Sequence, residues 1–510
     1  MKYIYPLLLL CSIVLWSSCR NDFETQPSTG NLEFSKDTVY LDTVVSGMVT
    51  STYNLTVYNR SDEDIPIPTI QLSNGESSNY RLNVDGLPGK SFENIDILAK
   101  DSIFVFIEST TDINTYSQEN QFLLTDAIEF DTDTYQQKVE LVTLIQDAVF
   151  LYPEKFNDGS TENLSFGFDE EGNEILIDGF FLDDSELTMT NEKPYVIYGY
   201  AAVPGNRTLS IDPGARIHFH EDSGIIVANN ASLHVNGSLS SDQENLENEV
   251  IFEGDRLEPD FSEVAGQWGA IWLTEGSTNN LINYATIKNA TVGILMDSND
   301  GTNNPTLTIK NSKIYNSSNV GLLARTGFIE GENLVINKAG QSSLNLSLGG
   351  QYNFTNCTFA NYWTGSFRSY PTVLVENYLE TTDNIFVSDL IEANFYNCII
   401  YGNENKELFF NEREEAAFNY KFENCLIKYN NFGSSTDDID FEDETLYPGC
   451  LINEEPNFLA PEDNQLMINE ESAANGLANP STANSQDIIG TSRSSSPDSG
   501  AYESIIFPEE

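Results

Sequence analysis

The sequence contains few basic residues. Lysine and arginine together number 24, against 79 aspartates and glutamates, which gives the 510-residue chain a formal net charge of −55. Nucleic acids bind to basic surfaces that neutralise their phosphates, so a chain this acidic is not expected to have a nucleic-acid partner. The same charge disfavours docking on anionic lipid through electrostatic attraction.

Long hydrophobic runs are absent after the first twenty residues, so no transmembrane helix is predicted in the remainder of the chain. The one apolar run, residues 3–16, is too short to span a bilayer and is typical of a signal peptide. It ends in SSC at residues 17–19, which resembles a bacterial lipobox, although Trp16 replaces the usual aliphatic residue. We predict a lipoprotein signal peptide at residues 1–18 and lipidation of Cys19. A plain secretory signal with an incidental cysteine is the alternative.

The segment after the predicted lipid is acidic and polar. Residues 20–24, RNDFE, resemble the tether that directs lipoproteins of Bacteroidota-type bacteria to the outer face of the outer membrane. Residues 25–31 are polar with proline and glycine, so we assign residues 19–31 to a tether. The resemblance implies an outer-membrane protein that faces the cell exterior and contacts the membrane through its lipid anchor only.

Histidine and cysteine are scarce, which limits metal and nucleophile chemistry. His218 and His220 are predicted to face outward, and His234 falls on a different face, so we expect three solvated histidines rather than a metal site. Three cysteines occupy the same position in successive repeats, where side chains run parallel and disulfide geometry is poor. The predicted ladder of buried thiols consists of Cys357, Cys398 and Cys425.

Residues 32–148 show the two-residue alternation of β-strands. Residues 53–59 and 102–107 are clear examples, and turn residues separate the runs. The pattern predicts a small β-sandwich, and residues 87–105 resemble the immunoglobulin-like modules that often precede surface repeats. We favour a spacer role for this domain over the alternative, a binding module.

A repeating step of eight residues begins at residue 208. Each repeat places two apolar residues on one face of a short strand, with turn residues between strands. Three strands make a coil of 24 residues, which is the sequence signature of a parallel β-helix. The residues that open the first four strands, and that we expect in one core with the fourth stacked on the first, are Leu209, Ile217, Ile225 and Leu233.

An asparagine opens a similar phrase in six later repeats. In register, these side chains can hydrogen-bond along the helix axis at a turn. The step of 41 residues corresponds to one coil plus an insertion, whereas the other steps correspond to single coils. The asparagines are Asn283, Asn311, Asn333, Asn356, Asn397 and Asn424, at steps of 28, 22, 23, 41 and 27 residues.

Three phrases resemble those of Bacteroidota-type surface lipoproteins with right-handed parallel β-helix repeats: residues 232–237, 266–268 and 487–503. The likeness implies an all-β chain, a right-handed parallel β-helix (solenoid) preceded by a small immunoglobulin-like β-sandwich. We assign residues 149–207 to a lead-in segment and 208–510 to the β-helix with a C-terminal cap. The fold carries lyases, hydrolases and adhesins, so the resemblance implies an architecture rather than an activity.

The sequence contains no recognisable catalytic constellation, and no catalytic residue is predicted. A β-helix lyase or hydrolase would need an arginine or lysine facing two carboxylates across stacked coils in an open groove. Arg256, Arg325 and Arg368 are scattered, without an acidic cluster at coil spacing. The strongly acidic chain would also repel polyuronate substrates.

Residues 297–303, DSNDGTN, contain the one candidate metal loop. Oxygen-bearing side chains alternate before a glycine that permits a sharp turn, which suits Ca²⁺. The candidate ligands are Asp297, Asn299 and Asp300. A polar turn between coils explains the loop equally well, and no other cofactor is predicted.

The insertion in the long step is rich in aromatic residues. Residues 360–371, ANYWTGSFRSYP, contain four aromatic residues and one arginine, which suits a platform for stacking sugars. Trp272 is predicted to face outward and to add a further ring. The candidate ligand-binding residues are Tyr362, Trp363, Arg368, Tyr370 and Trp272, and the alternative is that the aromatics only pack on the coils.

These features favour a non-catalytic surface lipoprotein that presents a β-helix to a glycan or a surface protein. A polysaccharide lyase or glycoside hydrolase of the β-helix type is the alternative, and a structural envelope component is the third hypothesis.

Overall fold

The computed structural model describes residues 31–45, 50–110, 121–131, 135–156, 158–168, 172–381, 384–431 and 439–508. The predicted signal peptide and Cys19 lie outside these residues. The chain forms two compact units, residues 1–147 and 148–510. Within the described ranges, no helix is both long and apolar enough to cross a membrane.

The first unit consists of two five-stranded sheets around one core. Alternating side chains bring Leu55 of one sheet and Ile67 of the other into the same cluster, so the predicted β-sandwich is present; its immunoglobulin-like character stays a prediction. One sheet contains β1 (Glu33–Phe34), β3 (Tyr53–Tyr58), β8 (Ser102–Ser109), β5 (Tyr80–Val84) and β6 (Leu87–Gly89). The other contains β2 (Thr38–Val45), β10 (Gln137–Gln146), β9 (Gln121–Phe130), β4 (Ile65–Leu72) and β7 (Ser91–Ile97).

The second unit is a parallel β-helix built from three sheets, A, B and C. Sheet A contains β11 (Val149–Leu151), β15 (Tyr195–Ile197), β18 (Arg216–Phe219), β21 (Val250–Gly254), β24 (Ala285–Lys288), β27 (Lys313–Ser317), β30 (Val335–Ala339), β33 (Thr358–Asn361), β38 (Ile399–Gly402), β41 (Leu426–Ile427) and β42 (Leu451–Ile452). Sheet B contains β12 (Asn163–Phe168), β13 (Glu174–Phe181), β16 (Tyr200–Val203), β19 (Gly224–Val227), β22 (Trp268–Leu273), β25 (Ala290–Asp297), β28 (Val320–Arg325), β31 (Leu344–Ser347), β34 (Val373–Glu376) and β39 (Leu408–Asn411). Sheet C contains β14 (Thr188–Met189), β17 (Thr208–Ile211), β20 (Ser232–Asn236), β23 (Asn280–Asn283), β26 (Leu307–Lys310), β29 (Phe328–Glu332), β32 (Gly350–Thr355), β37 (Leu390–Tyr396) and β40 (Phe418–Glu423).

Two hairpins and three short 3₁₀ segments complete the described elements. The hairpins are β35 (Tyr378–Glu380) with β36 (Ile385–Val387) and β43 (Phe458–Ala460) with β44 (Gln465–Ile468). The 3₁₀ segments are Gly75–Ser77, Pro259–Phe261 and Pro461–Asp463.

The eight-residue step is confirmed. Leu233 pairs with Leu209 on the adjacent parallel strand, and all four opening residues of the step are fully buried in one core. The β-helix begins earlier than predicted, however, because the first strands of all three sheets lie between Val149 and Met189. The described strands of residues 149–207 therefore already belong to the three sheets, and the antiparallel hairpin of β12 and β13 interrupts the spacing that would have revealed them.

The asparagine ladder forms one corner of the β-helix. Asn311 to Asn424 all adopt left-handed backbone conformations, with φ between 48° and 56°, which asparagine tolerates better than most residues. Axial hydrogen bonds join the first three members: Asn311 donates to Asn283 at 3.0 Å and Asn333 donates to Asn311 at 2.9 Å. The predicted axial bonding is therefore confirmed for this part of the ladder.

The later asparagines bond instead to the end of the chain. Residues 477–503, which we call the strap, lie along this corner. Asn424 donates to the carbonyl of Leu477, Asn397 accepts from the backbone of Asn479, and Asn356 accepts from the backbone of Asn484. Gly490 lies against Leu239, several coils earlier. The closing segment thus covers one side of the β-helix over much of its length.

The predicted thiol ladder is confirmed. Cys357, Cys398 and Cys425 are buried and free, and Cys450 continues the series. The backbone N–H of Cys398 donates to the Cys425 sulfur at 3.4 Å, and that of Cys425 donates to the Cys450 sulfur at the same distance. Burial raises the pKa of the Cys398 thiol, which suits a packing role rather than a nucleophile.

Candidate functional site

The 41-residue step contains two insertions that create a groove. Residues 362–372 separate β33 from β34, and the β35–β36 hairpin follows β34. The groove lies between these insertions on the outer face of sheet B and has a volume of about 490 Å³. Ligand clefts typically measure ~300–1,000 Å³, so this groove is large enough for a small ligand or part of a polymer.

The floor of the groove comes from three neighbouring strands. Asn345, Leu374 and Phe409 are in register on β31, β34 and β39. Adjacent residues such as Leu344 and Leu408 point inward and are fully buried, so the alternation of the strands directs the floor residues outward. Amide, aliphatic and aromatic groups therefore form one continuous surface.

The walls of the groove add two tyrosines and two carboxylates. Tyr370 comes from the loop, whereas Tyr378 and Glu380 come from the hairpin. Glu376 lies at the end of β34, where its Oε1 accepts a hydrogen bond of 2.6 Å from the side chain of Asn411. Burial raises the pKa of Glu376. No lysine, arginine or histidine is among the described residues that line the groove.

Arg413 supports the hairpin wall from behind. Its guanidinium lies 4.7 Å from the ring centroid of Tyr378 and 3.9 Å from the carboxylate of Glu380. Its backbone carbonyl also accepts a hydrogen bond of 2.9 Å from the side-chain amide of Asn377. The tyrosine and the carboxylate are thus positioned by a cation that does not itself line the groove.

The prediction of Arg368 as a surface cation is wrong. This residue is 3% exposed, and its two terminal nitrogens donate to the two carboxylate oxygens of the fully buried Glu407 at 2.9 and 2.8 Å. It also donates to the carbonyls of Tyr370 and Asn361. Buried guanidinium groups require such partners, so Arg368 anchors the loop and positions Tyr370.

Only Tyr370 of the five predicted ligand-binding residues lines the groove. Tyr370 is 45% exposed. The indole N–H of Trp363 donates to Ser366 in its own loop at 3.0 Å, and the Tyr362 ring packs edge-on against Phe458 at 6.1 Å. These two rings make local contacts outside the groove, and ligand binding by Tyr362 and Trp363 stays a prediction.

Trp272 lies on the same face of sheet B, several coils before the groove. Its ring stacks on Phe166 with centroids 4.9 Å apart, and its N–H donates to Asp297 at 2.7 Å. It therefore faces outward, as predicted, with one side of the ring already covered by the β12–β13 hairpin.

The candidate calcium loop is bonded internally. Asp297 accepts from Arg325 at 2.9 Å, Asp300 accepts from the backbone N–H of Thr302, and Asn299 accepts from that of Gly301. No group of three or more His, Cys, Asp or Glu side chains in the described part of the chain is arranged to hold a metal ion. This geometry matches the polar-turn alternative, and calcium binding stays a prediction.

The predicted solvation of all three histidines is wrong for His218. The side chain of His218 is 7% exposed and lies 3.6 Å from the carboxylate of Glu253, which also binds Lys288 at 2.7 Å. Burial lowers the pKa of His218 and favours the neutral ring. The alternation of the strand directs His218 outward and predicts an exposed side chain, but the outer face of sheet A is covered at this position.

Arg325 and Arg368 do not meet the requirement set for a β-helix enzyme. Arg368 binds one carboxylate in the interior, and Arg325 pairs with Asp297, which also binds Trp272. Neither is an arginine facing two carboxylates in an open groove.

A second groove of similar volume lies in the first unit. Its charged groups are already paired, since Arg81 binds Glu108 at 3.2 Å and Lys90 donates to the carbonyls of Glu76 and Ser78. Phe106 is the one aromatic residue among the described residues that line it. The groove on sheet B offers three aromatic rings, those of Tyr370, Tyr378 and Phe409, and it is the stronger candidate.

No family model matches the chain, and no curated protein matches it. Among solved structures, the catalytic unit of a thermostable GH87 α-1,3-glucanase from Streptomyces thermodiastaticus is 11% identical, over 75% of this chain and 86% of that one, with a TM-score of 0.25. A family 123 glycoside hydrolase from Clostridium perfringens is 9% identical over 24% of this chain and 30% of that one, with a TM-score of 0.17, so the match spans less than a third of that hydrolase. The periplasmic chaperone SfaE is 12% identical over 29% of this chain and 82% of that one, with a TM-score of 0.15. Such low similarity carries no functional argument. The fold defines the class: an all-β protein whose parallel β-helix carries a groove on one sheet.

Proposed function

We propose that this protein is a surface lipoprotein whose β-helix binds a neutral glycan in the groove on sheet B. The observation that carries the proposal is the convergence of both insertions of one coil on a single aromatic and polar groove. Tyr370, Tyr378 and Phe409 provide rings that can pack against the apolar faces of sugars. Asn345 and Gln341 provide donors and acceptors for hydroxyl groups.

The charge of the groove supports a neutral ligand. Its described lining includes two carboxylates and no basic side chain, and the whole chain carries a net charge of −55. A uronate or sulfated sugar would meet repulsion both locally and at long range. A hydroxyl-rich, uncharged chain avoids this repulsion and can donate hydrogen bonds to the carboxylates.

We expect Tyr370→Ala and Tyr378→Ala each to weaken glycan binding about tenfold, which corresponds to about 1.4 kcal/mol for each lost ring contact. A glycan array identifies the ligand, and calorimetry on the chain without its signal peptide measures the affinity. Tyr152→Ala is the matched control because Tyr152 is 65% exposed and does not line the groove. Absence of binding to every neutral glycan, or unchanged affinity in both variants, would contradict the proposal.

The lipid anchor has an independent test. We expect Cys19→Ser to move the protein from the membrane fraction to the soluble fraction, because the acyl chains are the proposed attachment. Cys450→Ser is the matched control, since Cys450 is a free cysteine within the β-helix, and it should leave the fractionation unchanged. Continued membrane association of the Cys19 variant would exclude lipidation at this residue as the anchor.

A further inference from the structure

The groove continues into a column of outward-facing residues on sheet B. Each member is in register with the next on a parallel strand, and the last three form the floor of the groove. Five strand spacings of ~4.8 Å give the column a length of about 24 Å along the helix axis. This outer column consists of Trp272, Leu295, Leu323, Asn345, Leu374 and Phe409.

The outer column begins where a covering hairpin ends. The two preceding positions in the same register, Ala202 and Ile226, are buried in a cluster with Leu164 of the β12–β13 hairpin. Phe166 of that hairpin then stacks on Trp272. Beyond this point Trp272, Leu295 and Leu323 are all partly exposed, and the apolar surface extends from the hairpin to the groove.

The outer column is uncharged on a strongly acidic protein. The neighbouring column, two residues further along each strand, contains Asp297 and Arg325, which neutralise each other at 2.9 Å, followed by Ser347, Glu376 and Asn411. An apolar strip bordered by polar groups suits a ligand with apolar faces and hydroxyl edges, because both kinds of surface are contacted at once.

We infer that the outer column is a track for a linear, uncharged polysaccharide that lies parallel to the helix axis. This inference rests on the proposed glycan function and adds the form and direction of the ligand. One part of the chain occupies the groove, and further sugar units pack along Leu323 and Leu295 toward Trp272. The strand spacing is close to the length of one hexose unit in an extended chain, so successive units meet equivalent positions of the column.

Oligosaccharide length and a charge in the track test the inference. We expect affinity for neutral glucose, mannose or xylose oligomers to rise about tenfold or more from dimer to hexamer. Leu323→Glu, which places a charge in the track beyond the groove, should abolish most of this gain and leave dimer binding unchanged. Leu87→Glu is the matched control because Leu87 is an exposed leucine of the first unit.

The outcomes separate the inference from the proposed function. Equal affinities for dimer and hexamer, or a length dependence that survives Leu323→Glu, would overturn the track and leave the groove intact. Failure of all neutral oligomers to bind would overturn the proposed function itself. Light scattering could instead show a dimer of the protein that Leu323→Glu dissociates. That result would mean that a second copy of the protein covers the column, and it would also overturn the inference. If thermal unfolding shows that Leu323→Glu misfolds, Leu295→Glu provides the same test.

Discussion

Replacing Arg368 with methionine is expected to lower the free energy of unfolding by about 3–5 kcal/mol, because it leaves a buried charge without its partner. Glu407 is fully buried, and Arg368 donates to both of its carboxylate oxygens. The remaining donors to Glu407 are the backbone and hydroxyl of Thr372 and the backbone of Glu404. They reduce the cost but do not supply a positive charge, so the effect should be large.

Denaturant unfolding measures this loss, and a double variant gives its cause. Arg368→Met with Glu407→Leu removes both charges, and we expect it to recover most of the stability lost in the single variant. Arg413→Met is the matched control, since its pair with Glu380 is longer and exposed, and its effect on stability should stay below about 1 kcal/mol. A loss of under 1 kcal/mol for Arg368→Met would show that the pair is hydrated rather than buried.

Replacing Arg493 with methionine should have a comparable effect of about 3–5 kcal/mol on attachment of the strap. The Arg493 side chain is 2% exposed and donates to Glu503 at 2.8 Å and to the carbonyls of Asp498 and Gly500 at 2.9 and 2.8 Å. These bonds hold residues 493–503 of the strap together, and a further hydrogen bond of 3.3 Å joins Arg493 to the side chain of Asn333 in the asparagine corner. Without these bonds, we expect the free energy of detaching the strap to fall below the free energy of unfolding the coils.

Hydrogen exchange and limited proteolysis measure this release. Amides of residues 477–503 should lose protection in Arg493→Met, while amides of the central coils keep theirs. Arg207→Met is the matched control because its pair with Asp184 is exposed on both sides. Unchanged exchange in the strap would mean that the other contacts of the strap are sufficient without this ion pair.

The coils could be predicted from the sequence because the buried residues that stabilise them recur at a regular interval along the chain. Leu209 and Leu233 occupy the same position of successive coils, so a fixed step and a two-residue alternation identify both the strand and its neighbour. The asparagine corner could be predicted in the same way, because each coil needs a residue that tolerates the left-handed conformation at this corner.

The groove could not be predicted in the same way because its residues share no local pattern. Glu376, Tyr378 and Phe409 come from a strand, a hairpin and the next coil. The long step indicated that something interrupts the coils, but the sequence did not divide it into a loop and a hairpin. The burial of Arg368 depends on Glu407, which precedes β39 in the following coil, and no spacing rule predicts that pair.

The strap also has a consequence for the order of folding. Coils of a solenoid contact mainly their neighbours, so they can form one after another during synthesis. The strap follows all of the coils in the sequence, yet it contacts positions from Leu239 to Asn424. The asparagine corner therefore stays uncovered while the coils are made, and a single late docking step then joins several coils into one cooperative unit.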